Sequence, residues 1–146
     1  MNPDKLYLTR TDTTVGFLSQ NTKRIAEAKV RNPEQPFLCC VASFEALKER
    51  TRVPKAFRKS VRRAKKTTWI YPNKKAIRIV FDAEHRRFLK RFGFMYSSSA
   101  NKTGEDFDEA YAKEAADIVV EDAKGFQADE PSQIYQIGRR KKIRLR

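Results

Sequence analysis

Six consecutive apolar residues, Phe37–Ala42 (FLCCVA), interrupt a chain in which 34% of the residues are charged. A run of that length reads as a strand buried in a core, because a buried helix needs about ten residues or more. Two further segments, Thr67–Tyr71 (TTWIY) and Ala76–Phe81 (AIRIVF), are β-branched and aromatic. Pro72-Asn73-Lys74-Lys75 between them reads as a hairpin loop. Lys5–Thr9, Phe94–Ser98, Asp117–Val120, Gln133–Ile137 and Lys141–Leu145 complete the expected strands, with Gly138 starting a tight turn between the last two. Helices fall between them. Thr22 is placed to cap one through about Lys29, and Ser43 to cap Phe44–Glu49. Pro54 opens Lys55–Lys65, where Phe57, Val61 and Ala64 recur at helical spacing. Glu84–Phe92 precedes Gly93 at its C′ position, and Thr103 with Asp106 makes a capping-box-like start to Asp106–Ala115. Helices and strands intermix without strict βαβ repeats, so the expected class is α/β with a mixed sheet. No linker divides the chain, and one domain over 1–146 is expected.

The 146 residues suffice for one core. No apolar run approaches the roughly 20 residues that span a bilayer. The start MNPDKLYLTRTD lacks the apolar stretch of an export signal, so a cytoplasmic protein with no membrane partner is expected. The two cysteines, Cys39 and Cys40, are adjacent. Neighbours on a strand point to opposite faces, so they read as buried free thiols rather than a disulfide. With one histidine, His85, they make no zinc site, and no metal-binding set is expected.

The net charge of +14 implies an anionic partner. Lys48–Lys66 carries ten Lys or Arg against one Glu, and the last eight residues carry six bases. Glu105–Glu130 carries ten acids against two Lys, which reads as a solvated helix face. If the fold joins the two basic segments, nucleic acid is the commonest partner for such a patch; basic residues kept for solubility are the plainer alternative. Arg58, Arg62, Arg63, Lys65, Lys66, Arg139 and Arg140 are the candidate RNA contacts.

Four shorter constellations bear on chemistry. Arg10–Gly16 (RTDTTVG) follows a strand and reads either as a binding turn or as a plain loop. Lys29 and Arg31 stand two apart at a helix C-terminus. They either complement the helix dipole or clamp a phosphate or carboxylate. Ser97–Gly104 (SSSANKTG) runs from a strand end through a short loop to an expected helix start. Small hydroxyl residues there let backbone N–H groups approach an anion, with the dipole assisting, although a polar surface turn looks similar. Pro131-Ser132 leads into a strand. There is no GxxxxGK[ST] and no GxGxxG, so neither a Walker loop nor a dinucleotide fingerprint is present.

Taken in order, these segments resemble the YrdC family. That family reads Pro-Thr-Asp-Thr-x-Tyr-Gly-Leu, Lys-x-Arg-Pro-x-x-Lys-Pro-Leu, Pro-Gly-Pro-x-Thr, an Arg in a strand, Ser-x-Ser-Ala-Asn-x-Ser-Gly and Pro-Ser-Thr-Ile. The matching stretches here are TDTTVGFL at 11–18, KVRNPEQPFL at 29–38, AKKTTWIYP at 64–72, AIRIV at 76–80, SSSANKTG at 97–104 and PSQIYQI at 131–137. The resemblance implies a twisted, open, mixed sheet flanked by helices around a positive cleft. It implies synthesis of threonylcarbamoyl-AMP from threonine, bicarbonate and ATP, with Mg²⁺ carried on the ATP phosphates and no tightly bound cofactor. The product would serve tRNA threonylcarbamoyladenosine modification, with tRNA or double-stranded RNA and other tRNA-modification proteins as partners.

By the same resemblance, Lys29 and Arg31 would hold phosphates, and Arg31 would also reach the threonine carboxylate. Ser97, Ser99 and Asn101 would line the phosphates and the reacting carbonyl. Thr68, matching the Thr of Pro-Gly-Pro-x-Thr, would join Lys29 and Arg31 at the reaction centre and help to bind threonine. Thr11 and Thr13 would face threonine, and Ser132 and Arg144 would lie on the nucleotide side. The family Tyr falls on Val15, its second Lys on Gln35, and Pro-Gly-Pro on Ala64-Lys65-Lys66. Those departures favour the alternative, an RNA-binding relative with weak or lost synthase activity.

Overall fold

Thr11-Asp12-Thr13-Thr14 turns the chain back on itself. It joins β1 (Tyr7–Arg10) to β2 (Val15–Ser19) in antiparallel register from Tyr7↔Leu18 to Arg10↔Val15. The structure, a computed structural model, describes residues 1–121, 125–126 and 130–146; 122–124 and 127–129 of the acidic stretch therefore lie outside the described residues. The turn or loop read over Arg10–Gly16 is shorter than that: only four residues turn, and Val15 and Gly16 belong to a strand that is buried throughout. Gly16 makes that packing possible. A Cβ there would stand 2.9 Å from Thr11 Cγ2 and 3.2 Å from the Ser98 carbonyl oxygen.

The chain divides into two compact units, each assembled from two stretches: Met1–Phe37 with Met95–Glu130, and Leu38–Phe94 with Pro131–Arg146. In the first, β2 pairs antiparallel with β6 (Phe94–Ser99), and β1 pairs parallel with β7 (Ile118–Val119), giving the order β7-β1-β2-β6. Helix α1 (Thr22–Lys29) lies against β2. Its N-cap is Asn21, whose Oδ1 accepts from the Lys23 N–H at 3.1 Å, so Thr22 is the first helical residue and not the cap. Its end is set by Val30 in the left-handed region (φ 52°), with the Arg31 N–H closing onto the Ala26 carbonyl at 3.0 Å. Ile25 of α1 meets Leu6, Leu8 and Phe17, all fully buried; each such side chain contributes about 1.5–3 kcal/mol. Helix α5 (Glu109–Ala115) begins three residues later than expected, capped by Asp108 rather than opened by Thr103 and Asp106. The reason is local. The Thr103 N–H donates to the Lys29 carbonyl at 2.9 Å and Asn101 Nδ2 donates to the Glu105 carbonyl at 2.8 Å, which holds this stretch as a loop.

In the second unit the order is β3-β5-β4-β8-β9. β3 (Leu38–Val41) runs parallel to β5 (Ala76–Ile79), and β4 (Thr67–Ile70) runs antiparallel to β5 and parallel to β8 (Gln133–Ile137). β9 (Lys142–Arg144) returns antiparallel to β8 through the turn closed by the Gly138 N–H on the Lys141 carbonyl at 2.9 Å. The sheet is therefore mixed, as expected. Helices α2 (Phe44–Lys48) and α4 (Ala83–Lys90) cover β3. The helix expected from Lys55 to Lys65 is a 3-10 turn, Lys55–Phe57, followed by α3 (Arg58–Arg63). It stops there because Ala64 is extended and Lys66 is left-handed (φ 50°), which launches β4. The Gly93 N–H closes α4 on the Leu89 carbonyl at 2.9 Å, and its φ of 85° explains the glycine. Trp69 of β4 stacks on Tyr135 of β8 with ring centroids 5.1 Å apart. Cys39 and Cys40 are buried free thiols, and burial pushes Cys39 up to about 12.

Candidate functional site

In the first unit, Lys29 ends α1 with its side chain turned inward and only 5% exposed. An ammonium carries three protons, and four acceptors surround this one: the Ser99 carbonyl at 2.9 Å, the Asn101 carbonyl at 3.0 Å, Ser99 Oγ at 3.3 Å and Asn101 Oδ1 at 3.4 Å. Two motifs some 70 residues apart are thereby tied at one point. Ser97 and Ser99 alternate onto one face of β6, opposite Leu18 and Gly16 of β2; Ser97 is buried and Ser99 exposed. Asn101 braces the loop, donating to the Lys102 and Glu105 carbonyls at 2.8 Å each. Arg31 leans over the Phe37 ring at 4.1 Å and donates to the Pro36 carbonyl at 2.6 Å. Burial, and then the Arg31 charge, bring the Lys29 ammonium down to about 8; burial also lowers Arg31. No helix N-terminus follows the serines directly, so the expected dipole is replaced by the Lys29 charge itself. Thr11 and Thr13 are buried in the β1–β2 turn. Thr11 Oγ1 donates to the Thr14 carbonyl and accepts from the Thr13 N–H at 3.2 Å.

In the second unit, Thr68 at the start of β4 and Ser132 just before β8 meet Oγ to Oγ at 2.9 Å, both buried. Arg78 of β5 donates to Thr68 Oγ1 at 3.4 Å. Arg146 donates to the Ser132 carbonyl at 2.8 Å and to Ser132 Oγ at 3.2 Å. Burial, and then the Arg78 charge, lower the Arg146 pKa. Arg144, the expected nucleotide-side residue, is exposed on β9 opposite Tyr135, and Arg146 is the arginine at Ser132. Sequence reasoning left Arg146 out and matched Arg78 as the family's strand arginine without giving it a role. The signal for Arg78 was a lone arginine inside the apolar strand AIRIVF.

Each cluster thus holds a cation that a neighbouring cation helps to lower, beside hydroxyl groups: Lys29 beside Arg31, and Arg146 beside Arg78. Paired like charges in a partly dry setting are relieved by an anion, which makes both clusters candidate anion sites.

The second unit also carries most of the positive charge. It holds 23 Lys or Arg against four Asp or Glu, a balance of +19, whereas the first unit holds nine against 14, a balance of −5. Arg58, Arg62, Arg63, Lys65, Lys66, Arg139 and Arg140 are all exposed. The two basic segments do converge: Arg52 and Lys55 from one, and Arg139 and Arg140 from the other, line a single concavity. Among the described residues no three His, Cys, Asp or Glu side chains cluster as a metal site, and no helix is long and apolar enough to cross a membrane.

A family model for the Sua5, YciO and YrdC proteins, described as telomere recombination, matches residues 2–146. No curated protein sequence matches the chain. Three solved structures share its fold. P. abyssi Sua5 complexed with L-threonine aligns at TM-score 0.80 and 19% identity over 98% of this chain and 50% of that one. E. coli YciO aligns at 0.78 and 14% over 98% of this chain and 82% of that one. Full-length HypF, in a phosphate- and nucleotide-bound form, aligns at 0.78 and 11% over 98% of this chain and 27% of that one. The chain therefore spans about half the length of Sua5.

Proposed function

From its membership of the Sua5/YciO/YrdC family, to which this chain belongs over residues 2–146, we propose that it makes threonylcarbamoyl-AMP from threonine, bicarbonate and ATP for tRNA threonylcarbamoyladenosine modification. The observation that carries the reading is the Lys29 ammonium joined to Ser99 and Asn101. Two of the motifs that the family resemblance assigns to the phosphates meet there across some 70 residues of chain. Support also comes from the fold neighbour seen with L-threonine and the one seen with nucleotide.

In this proposal the threonine amine forms an N–C bond to bicarbonate and water leaves, giving a carbamate. A carbamate oxygen then attacks the α-phosphorus of ATP, and pyrophosphate leaves. Lys29 and Arg31 neutralise phosphate charge, and Arg31 also forks the threonine carboxylate. Ser97, Ser99 and Asn101 orient the phosphates and the reacting carbonyl. Thr11 and Thr13 shape the threonine side. Ser132, backed by Arg146, takes the nucleotide side, and Thr68, beside Arg78, serves the reaction centre and threonine. Mg²⁺ arrives on the triphosphate as part of the substrate. The chain's own task is positioning and charge neutralisation, with no covalent nucleophile.

The test is pyrophosphate release from ATP. Release that requires both threonine and bicarbonate supports the reading; its absence from folded protein, alone and with partner proteins, refutes it. A second reading, an RNA-binding relative with weak or lost synthase activity, is favoured by the +19 balance of the second unit. It is also favoured by Lys65 and Lys66, both exposed, where the family has Gly and Pro.

A further inference from the structure

β9 ends the strand order of the second unit, and among the described residues no strand pairs with its far side. Its near side is fixed residue by residue. The Leu145 and Arg146 N–H groups both donate to the Ile134 carbonyl, at 2.8 and 3.2 Å, and the Ile134 N–H donates to the Arg146 carbonyl at 2.9 Å. Two residues at this end thus face one of β8, which is a bulge. At the other end the Gly138 N–H closes on the Lys141 carbonyl at 2.9 Å. Between these points inward-bonded and outward-facing residues alternate along an antiparallel pair. Ile143, opposite Gln136, bonds inward. Lys142 and Arg144 therefore turn their N–H and C=O groups away from β8, to the side where a further strand would add.

The side chains of this edge sort by face. Ile143 and Leu145 are two apart and share one face. They are 56% and 54% exposed, and they are two of the five large apolar side chains exposed among the described residues. Lys142 and Arg144 share the opposite face, and both are exposed. Lys142 lies over the Tyr135 ring at 5.0 Å, and Arg144 is the register partner of Tyr135.

Cations on an open edge repel a second strand of the same kind, which is a common guard against aggregation. That accounts for Lys142 and Arg144. It does not account for Ile143 and Leu145, which make the same edge adhesive. Together the two faces select a partner. Pairing β9 with β9 of a second copy would set cation against cation. A strand that alternates acidic and apolar residues sets acid against cation on one face and extends the Ile143–Leu145 strip on the other. RNA has no N–H and C=O ladder to pair with the outward groups of Lys142 and Arg144. We propose that the open edge of β9 is a docking site for an extended segment of a partner protein in which acidic and apolar residues alternate, added to the sheet as one further strand. The proposal is independent of the synthase reading.

The experiment is fluorescence anisotropy of the full chain with a fluorescein-labelled nine-residue peptide in which glutamate and valine alternate. Saturable binding is expected. Arg144→Gln and Arg144→Pro lose the same charge, but only the proline loses the outward N–H, and neither touches the ladder to β8. The proline variant is expected to bind about 2- to 10-fold more weakly than the glutamine variant. Lys142→Glu with Arg144→Glu is expected to weaken binding about tenfold or more. A peptide of the same composition with its glutamates in one block is expected to bind more weakly than the alternating one. Equal affinity for the two peptides, or equal affinity of the proline and glutamine variants, would mean charge alone and would overturn the proposal. Circular dichroism checks that the variants fold. If Arg144→Pro unfolds, peptides N-methylated at every second residue, in either phase, make the same test from the partner's side. One phase is expected to lose binding, and equal binding of both would overturn the proposal. A concentration-dependent dimer in sedimentation that Lys142→Glu with Arg144→Glu dissolves would give the edge to a second copy. An RNA stem-loop that displaces the peptide more readily than the unlabelled peptide does would give it to a phosphate backbone. Either result overturns the proposal.

Discussion

Replacing Lys29 by Met tests the first-unit cluster at its centre. Met keeps most of the aliphatic stem, so packing changes little. What is lost is the ammonium that bridges the Ser99 and Asn101 carbonyls at 2.9 and 3.0 Å. Each carbonyl left unpaired costs about 1–3 kcal/mol when it is dry. Ser99 is exposed and Asn101 half-buried, so water recovers part of that, and the expected loss is about 2 kcal/mol in a urea melt. Loss of a charged contact to phosphate is expected to weaken ATP by about 1.5–3 kcal/mol, or about 10- to 150-fold by calorimetry. pH adds a signature. The folded pKa lies at about 8, below the ordinary 10.5, so between those values the unfolded chain binds more protons than the folded one. Stability from this group therefore rises with pH across that window. ATP affinity falls there, because the charge is leaving. Both trends are expected to vanish in Lys29→Met. A stability trend that persists across that pH window in the variant would take Lys29 out of the linkage, and unchanged ATP affinity in a folded variant would remove Lys29 from phosphate binding.

In the second unit, a double-mutant cycle of Thr68→Val and Ser132→Ala is expected to show a coupling of about 0.5–1.5 kcal/mol in thermal unfolding, the range of a neutral hydrogen bond. Additive effects would mean that the 2.9 Å contact contributes nothing net. The Asp117 carboxyl is held below its ordinary value by the Leu6 N–H, which it accepts at 2.8 Å, and then by Arg24. The stability it adds is present above the ordinary pKa of 3.8 and is lost as pH falls below it. Asp117→Asn is expected to make acid unfolding less steep below about pH 4; an unaltered acid limb would count against that linkage.

The parts of this fold that were legible were those whose signal is local. FLCCVA is buried as β3, the Pro72–Lys75 hairpin joins β4 to β5, Ser43 caps α2, and Gly93 ends α4. β2 was not legible. The polar TDTT turn and Gly16 mask its start, and burial on both faces removes the alternation that marks a strand. The helix expected from Asp106 starts at Glu109 because capping-box residues compete with tertiary partners, and the Lys29 carbonyl claims the Thr103 N–H. Of the site, the motifs were readable in order, but their internal pairing was not. Lys29 looked free to reach a ligand, and the structure gives it four protein acceptors. Arg144 and Arg146 are two apart on alternating positions, and only tertiary register decides which one meets Ser132. No linker announced the two units, because they interleave along the chain instead of following one another.

That interleaving governs when each cluster can exist during synthesis. Lys29 must wait for β6, and Thr68 must wait for the strand that follows Ser132, 64 residues later. Contacts so distant in sequence place folding among the slower classes, on the order of milliseconds to seconds. A ribosome that has released residues 1–130 has supplied every partner of Lys29 and, for Thr68 Oγ1, Arg78 but not Ser132. Until β8 arrives, β4 presents an open edge with Trp69 on it, the kind of template that invites wrong pairing between nascent chains. Residues 131–146 are therefore a lock on the second unit as well as the source of six of its 23 Lys and Arg.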